Sequence, residues 1–87
     1  MTTKPPSAVQ PAPDGSLEKI AYGSVEGIPT AEPHDLDRLG YSIWLWLKNR
    51  HDPFEVAVRT AGARLLMSEE EVLERIKARL RASGITI

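Results

Sequence analysis

Residues 35–47, D-L-D-R-L-G-Y-S-I-W-L-W-L, hold both tryptophans of the chain and its densest apolar run, so the way this stretch packs decides the fold. At 100° per residue, Leu36, Leu39, Ile43, Trp46 and Leu47 share one face, the stripe of a helix laid on a core. Tyr41 and Leu45 fall on the opposite side, with Trp44 at the flank. A helix apolar nearly all round needs cover on two sides, so a further helix, the N-terminal segment or a partner must meet the Tyr41 side. The rival is a strand, since aromatic and β-branched residues suit a pleated surface and the run is of strand length. Leu36 and Leu39 extend the helical period backwards, Asp35 is a good N-cap, and Lys48 and Arg50 stand where the helix dipole favours cations. A helix from about Leu36 to Arg50 is therefore predicted. Gly40 within it costs about 1 kcal/mol and would let a neighbouring helix approach.

Downstream, two further helix starts are written in the same grammar. In D-P-F-E at 52–55, Asp52 caps, Pro53 takes the first helical position and Glu55 reaches back. The helix that follows carries Phe54, Val58, Ala61 and Leu65 as its stripe, widened by Ala57 and Leu66, with Arg59 and Arg64 facing water. In S-E-E-E at 68–71, Ser68 caps, Glu71 closes the box and Met67 staples onto Val72. Val72, Leu73, Ile76 and Leu80 form the third stripe. Its charges run acid first and base last, from Glu69, Glu70, Glu71 and Glu74 to Arg75, Lys77, Arg79 and Arg81, which complements the dipole. Glu71 and Arg75 have the spacing of an i,i+4 ion pair. Gly84 ends this helix as a left-handed cap, with Ile85 folding back on the last turn and a short β bridge at Thr86 and Ile87.

Upstream the pattern weakens. Residues 1–16 hold Pro5, Pro6, Pro11 and Pro13 among small polar residues, a composition expected to be disordered. Residues 17–33 carry apolar Leu17, Ile20, Tyr22, Val25 and Ile28, with glycines at 23 and 27 and prolines at 29 and 33. That punctuation argues against a long helix. The alternatives are a short hairpin turning at Gly23-Ser24 and an irregular strap over the Tyr41 side of the tryptophan helix. The expected organisation is thus a tail over 1–16, an extended segment over 17–33 and an all-α three-helix unit over 34–87.

The totals exclude several classes of function. With no cysteine there is no disulfide, thiolate nucleophile or cysteine-held metal. Eleven basic and twelve acidic residues leave a net charge of -1, far from the basic excess that phosphate binding demands. The first residues lack the apolar core of a signal peptide, and Ile43–Leu47 is too short to span a bilayer, so a soluble, cytoplasmic protein without a membrane partner is expected. His34 and His51 each precede an aspartate but stand at opposite ends of the tryptophan helix, too far apart to share a metal. No nucleophile with a matching base and no phosphate-binding glycine loop is present, so no enzyme, cofactor or metal is expected.

Three helices, the last two joined at Leu66–Ser68, have the order of a helix-turn-helix. From Leu36 to Ile87 the chain resembles the N-terminal helix-turn-helix of the leucine-responsive regulatory protein family and the related siroheme decarboxylases. L-D-R-L at 36–39, P-F-E-V-A at 53–57 and M-S-E-E-E-V-L-E-R-I-K-A-R-L-R-A-S-G-I at 67–85 carry the likeness. Leu66 stands where that family's turn often has glycine. The resemblance implies a recognition helix presenting Ser68, Glu69, Glu70, Leu73 and Arg75 to a major groove, with Arg59, Arg64 and Arg79 as further DNA contacts. Three consecutive glutamates on that face would oppose phosphates. Partly exposed aromatics are typical anchors of protein interfaces, so Tyr41, Trp44 and Leu45 are the candidate contact surface for a protein partner or a second copy. The expected function is a small noncatalytic regulator, adaptor or accessory subunit acting by protein contact, with a DNA-binding regulator as the alternative.

Overall fold

The tryptophan stretch is helical, and its apolar period shows why. In the computed structural model, which describes residues 13–87 and side chains from Ser16 onward, Leu39, Ile43 and Leu47 are buried while Leu36 and Trp46 are half-buried on the same side. The described residues are all-α and form four helices: α1 over Pro13–Ser24, α2 over Pro33–Lys48, α3 over Phe54–Thr60 and α4 over Glu69–Ala82. Among them the one departure from helix and loop is an isolated antiparallel bridge between Thr30 and Leu65. No helix of the described residues is long and apolar enough to cross a membrane.

α1 corrects the expectation of an extended segment or hairpin over residues 17–33. Leu17, Ile20, Ala21, Ser24 and Val25 recur at three- and four-residue steps, and burial of that stripe against α2 and α4 outweighs the cost of Gly23. Gly23 and Ser24 are the last helical residues, not a hairpin turn. Pro13 opens the helix, so the last four residues of the expected disordered tail are helical, while residues 1–12 lie outside the described residues. The described residues thus hold four helices where three were expected, and Ala21, Val25 and Ile28 join α2 and α4 in one core.

α1 runs back along α2, and Gly40 is what lets it sit close. The Tyr22 ring occupies the place a side chain at position 40 would need: a Cβ built there would lie 2.5 Å from Tyr22 Cδ1. Burial, followed by the charges of Glu18 and Asp37 and neighbouring Tyr41, pushes the Tyr22 phenol up.

The start of α2 differs by one role from the expected cap. Glu32 is the N-cap and Pro33 takes the first turn, so Asp35 stands at the third helical position and accepts the Glu32 backbone N–H at 3.1 Å. Asp35 is fully buried. Arg38 donates to its carboxylate, and Arg64, from the connection before α4, lies 3.5 Å away. Burial alone would raise this carboxyl; the Arg38 and Glu32 hydrogen bonds and the two guanidinium charges outweigh it and hold the pKa below its ordinary value.

α3 is half the length that its apolar stripe suggests. Gly62 adopts φ +69°, a conformation that ends the helix after Thr60, and residues 64–66 then turn aside to pair with the strap after α1. Ala31 N–H donates to Arg64 O and Leu66 N–H to Pro29 O, both at 2.9 Å. Leu66, expected on the apolar face, is 66% exposed as a result. Pro53, with extended backbone, is the N-cap of α3 in place of Asp52. The Asp52 carbonyl accepts from Trp46 Nε1 at 2.6 Å, and Trp46 meets Phe54 edge to face at 5.2 Å. These contacts clamp the α2–α3 turn.

α4 matches its sequence cues at both ends. Ser68 Oγ accepts the Glu71 backbone N–H at 3.2 Å. At the far end Gly84 takes φ +91°, with its N–H donating to Arg81 O and that of Ile85 to Leu80 O, the paired bonds of a Schellman cap. Among the described residues Thr86 and Ile87 form no β bridge, and the Thr86 carbonyl accepts from Arg50.

Candidate functional site

α2 lies between α1 and α3, which leaves its outward strip uncovered by the described residues. Residues 37, 41, 44, 45 and 48 fall within a third of the helix circumference. Of these, Asp37, Tyr41, Leu45 and Lys48 are exposed and Trp44 is half-buried. The expected surface of Tyr41, Trp44 and Leu45 is thus one contiguous face, flanked by Tyr22 of α1 on one side and by α3 on the other.

The α3 side of this face is a shallow groove. Ser42 donates to the Ala57 carbonyl at 2.6 Å, fixing the distance between α2 and α3. Two adjoining depressions, of about 280 and 230 Å³, meet at Leu45; Arg38, Tyr41 and Ala61 line one, and Asp52, Val56 and Ala57 the other. Tyr41 is 50%, Leu45 44% and Val56 37% exposed, so three of the four exposed large apolar side chains of the described residues line one groove. Single exposed leucines are ordinary on a folded surface; three in one groove form a patch. Val56 is the member sequence reasoning missed, although its place two residues from the buried Phe54 and Val58 puts it on the outer side of α3.

Trp44 stiffens this face. Tyr41 and Trp44 meet edge to face with centroids 5.7 Å apart, and the Lys48 ammonium lies 4.5 Å above the Trp44 ring. The Trp44 indole N–H is buried and has no acceptor among the described residues. An unsatisfied buried donor costs about 1–3 kcal/mol.

The residues named for DNA contact are not gathered in one place. Arg59 pairs with Glu69 at 2.9 Å, and Arg64 pairs with Glu32 at 3.1 Å and reaches Asp35. Ser68 caps α4 and donates to Glu71 at 3.1 Å. Arg79 donates to the carbonyls of Ser24, at 3.3 Å, and Glu26, where α1 ends. Arg75 alone of the five has no such partner among the described residues, and the expected Glu71–Arg75 pair is absent among them. His34 and His51 are both exposed, at the two ends of α2. Among the described residues no group of three or more histidines, aspartates or glutamates is placed to hold a metal ion.

No protein-family model, curated protein or solved structure matches the chain.

Proposed function

We propose that this protein is a small noncatalytic module that works by protein contact through the outward face of α2 and the groove beside it. The observation that carries the proposal is the convergence of exposed Tyr41, Leu45 and Val56 on one groove whose walls are held by the Ser42–Ala57 and Trp46–Asp52 hydrogen bonds. An apolar patch with an aromatic anchor is what a protein interface offers before its partner arrives.

A photo-crosslinking amino acid placed at Leu45 tests this in the cell that makes the protein. Adducts with protein are expected from position 45, lost when Tyr41→Ser is added and absent when the cross-linker replaces exposed Arg81. Equal yields from positions 45 and 81 would remove the α2 face as the contact surface.

The second reading is a DNA-binding regulator using α4, supported by the likeness of residues 36–87 to the leucine-responsive family and by Arg75, unengaged among the described residues. It stands second because Arg59, Arg64 and Arg79 are engaged within the chain and the net charge is -1. DNA binding would appear as a gel shift at low salt that fades steeply as salt rises.

A further inference from the structure

We infer that residues 5–11 of this chain cross the α2 face as an extended polyproline strand and fill the groove at Leu45 and Val56, so that a partner must displace them. This rests on the contact-surface reading above and adds its regulation. P-P-S-A-V-Q-P at 5–11 has three prolines in seven residues, with apolar Ala8 and Val9 between them and no charge. Proline fixes its own φ near the polyproline value, so such a strand docks with little further loss of chain entropy, and its carbonyls have no partners within the strand. Its ordinary receptor is a groove lined by aromatic rings. The α2–α3 groove is of that kind. Tyr41 lines one of the two depressions that meet at Leu45, and half-buried Trp46 lines the other. Asn49, His51 and Thr60 in the same groove bring side-chain donors that engage none of the described residues.

The point of attachment favours this segment over a strand from another molecule. Tyr22 lies beside Gly40 and α1 runs back along α2, so Pro13, nine residues or about 14 Å earlier, stands beside the C-terminal end of α2. Half the circumference of a helix 10–12 Å across is about 17 Å. Seven polyproline residues at ~3.1 Å each span about 22 Å, enough to carry the chain from Pro13 over Tyr41 and set Pro6 beside Leu45 and Val56. A segment so tethered meets the groove at an effective concentration of about millimolar. Charge agrees with the placement. Lys4 is the one charged side chain in residues 1–12, and the Asp52 carboxylate, in the same groove, engages none of the described residues.

The chain has no cysteine, so Ser7→Cys carries a single nitroxide label on the full chain. The expected result is paramagnetic broadening of the Leu45 and Val56 methyl signals that exceeds the broadening at Leu17 and vanishes when the label is reduced. A label on an undocked segment, centred on Pro13, would instead act on Leu17 more than on Val56. Pro5→Gly with Pro6→Gly removes the rings and the stiffness and keeps the tether. That pair should abolish the preference for Val56 over Leu17 and raise the yield of partner adducts from position 45 in the cross-linking test. Stronger broadening at Leu17 in the otherwise unchanged sequence overturns the inference and leaves the contact surface to its own test. Broadening of Val56 seen only between nitroxide-bearing and isotope-labelled chains in a mixture places the segment on a second copy and overturns docking within one chain. A docked segment with no partner adducts in either sequence overturns the displacement, and the contact-surface reading with it, while the docking stands.

Discussion

The Tyr22 ring fills the space beside Gly40, so the closest approach of α1 to α2 is made where α2 has no side chain. Glycine in a helix interior is ordinarily a weakness worth about 1 kcal/mol, and Ala would recover it. At position 40 the Tyr22 ring stands in the way.

Gly40→Ala is therefore expected to destabilise the chain by about 1–2 kcal/mol, as overpacking outweighs propensity. Gly23→Ala, near the end of α1 with open space around it, should stabilise by up to about 1 kcal/mol. Urea unfolding of both variants checks the pair. Equal signs would mean that the contact between Tyr22 and Gly40 does not limit the packing.

Arg79 closes the end of α1 from a position more than fifty residues away, through the carbonyls of Ser24 and Glu26. Arg79→Met keeps the apolar stem and removes the donors, and should cost about 1–3 kcal/mol. Hydrogen exchange should quicken first in α1 and the strap after it. If only DNA binding changed, with no loss of stability, the side chain would belong to the surface rather than to the cap.

Asp35 makes stability depend on pH. Its folded pKa is depressed, so its contribution is complete above the unfolded carboxylate value and is lost as pH falls through the folded one. Glu55 acts in the same direction: its own backbone N–H and the Lys77 ammonium at 3.4 Å hold its pKa down. Unfolding free energy measured from pH 6 downward should stay level and then fall below about pH 4. Asp35→Asn should lower the plateau and flatten part of the fall. An unchanged slope would show that the carboxylate is not the titrating group.

Where helices depend on neighbours in sequence, the chain announces them. Leu39, Ile43 and Leu47 mark the buried side of α2, and Ser68 and Gly84 mark the two ends of α4, because caps and stripes are local chemistry. α1 was harder to see. Its glycines and the prolines after it resemble a broken segment, although Leu17, Ile20, Ala21 and Val25 already carry the helical step. The early end of α3 is signalled by Gly62, but the apolar run through Leu65 and Leu66 masks it. What those residues do is set by the strap from Pro29 to Ala31, which lies more than thirty positions earlier. The Tyr41–Leu45 face was legible from periodicity alone; its extension to Val56 was not, since it depends on how α3 lies against α2. The engagement of Arg64 and Arg79 was hidden for the same reason.

α3 has seven residues, well under the length at which a helix persists by itself in water, about twelve or more. Its coil is lent to it by Phe54 and Val58 sinking into the shared interior and by the Ser42 hydroxyl holding the Ala57 carbonyl. One bank of the groove is thus wound only while packed on the core, while the other is the sixteen-residue α2. Filling the groove and winding residues 54–60 are consequently coupled: whatever settles against Leu45 and Val56 also tightens the shortest of the four described rods, and whatever loosens that rod erases half of the landing place.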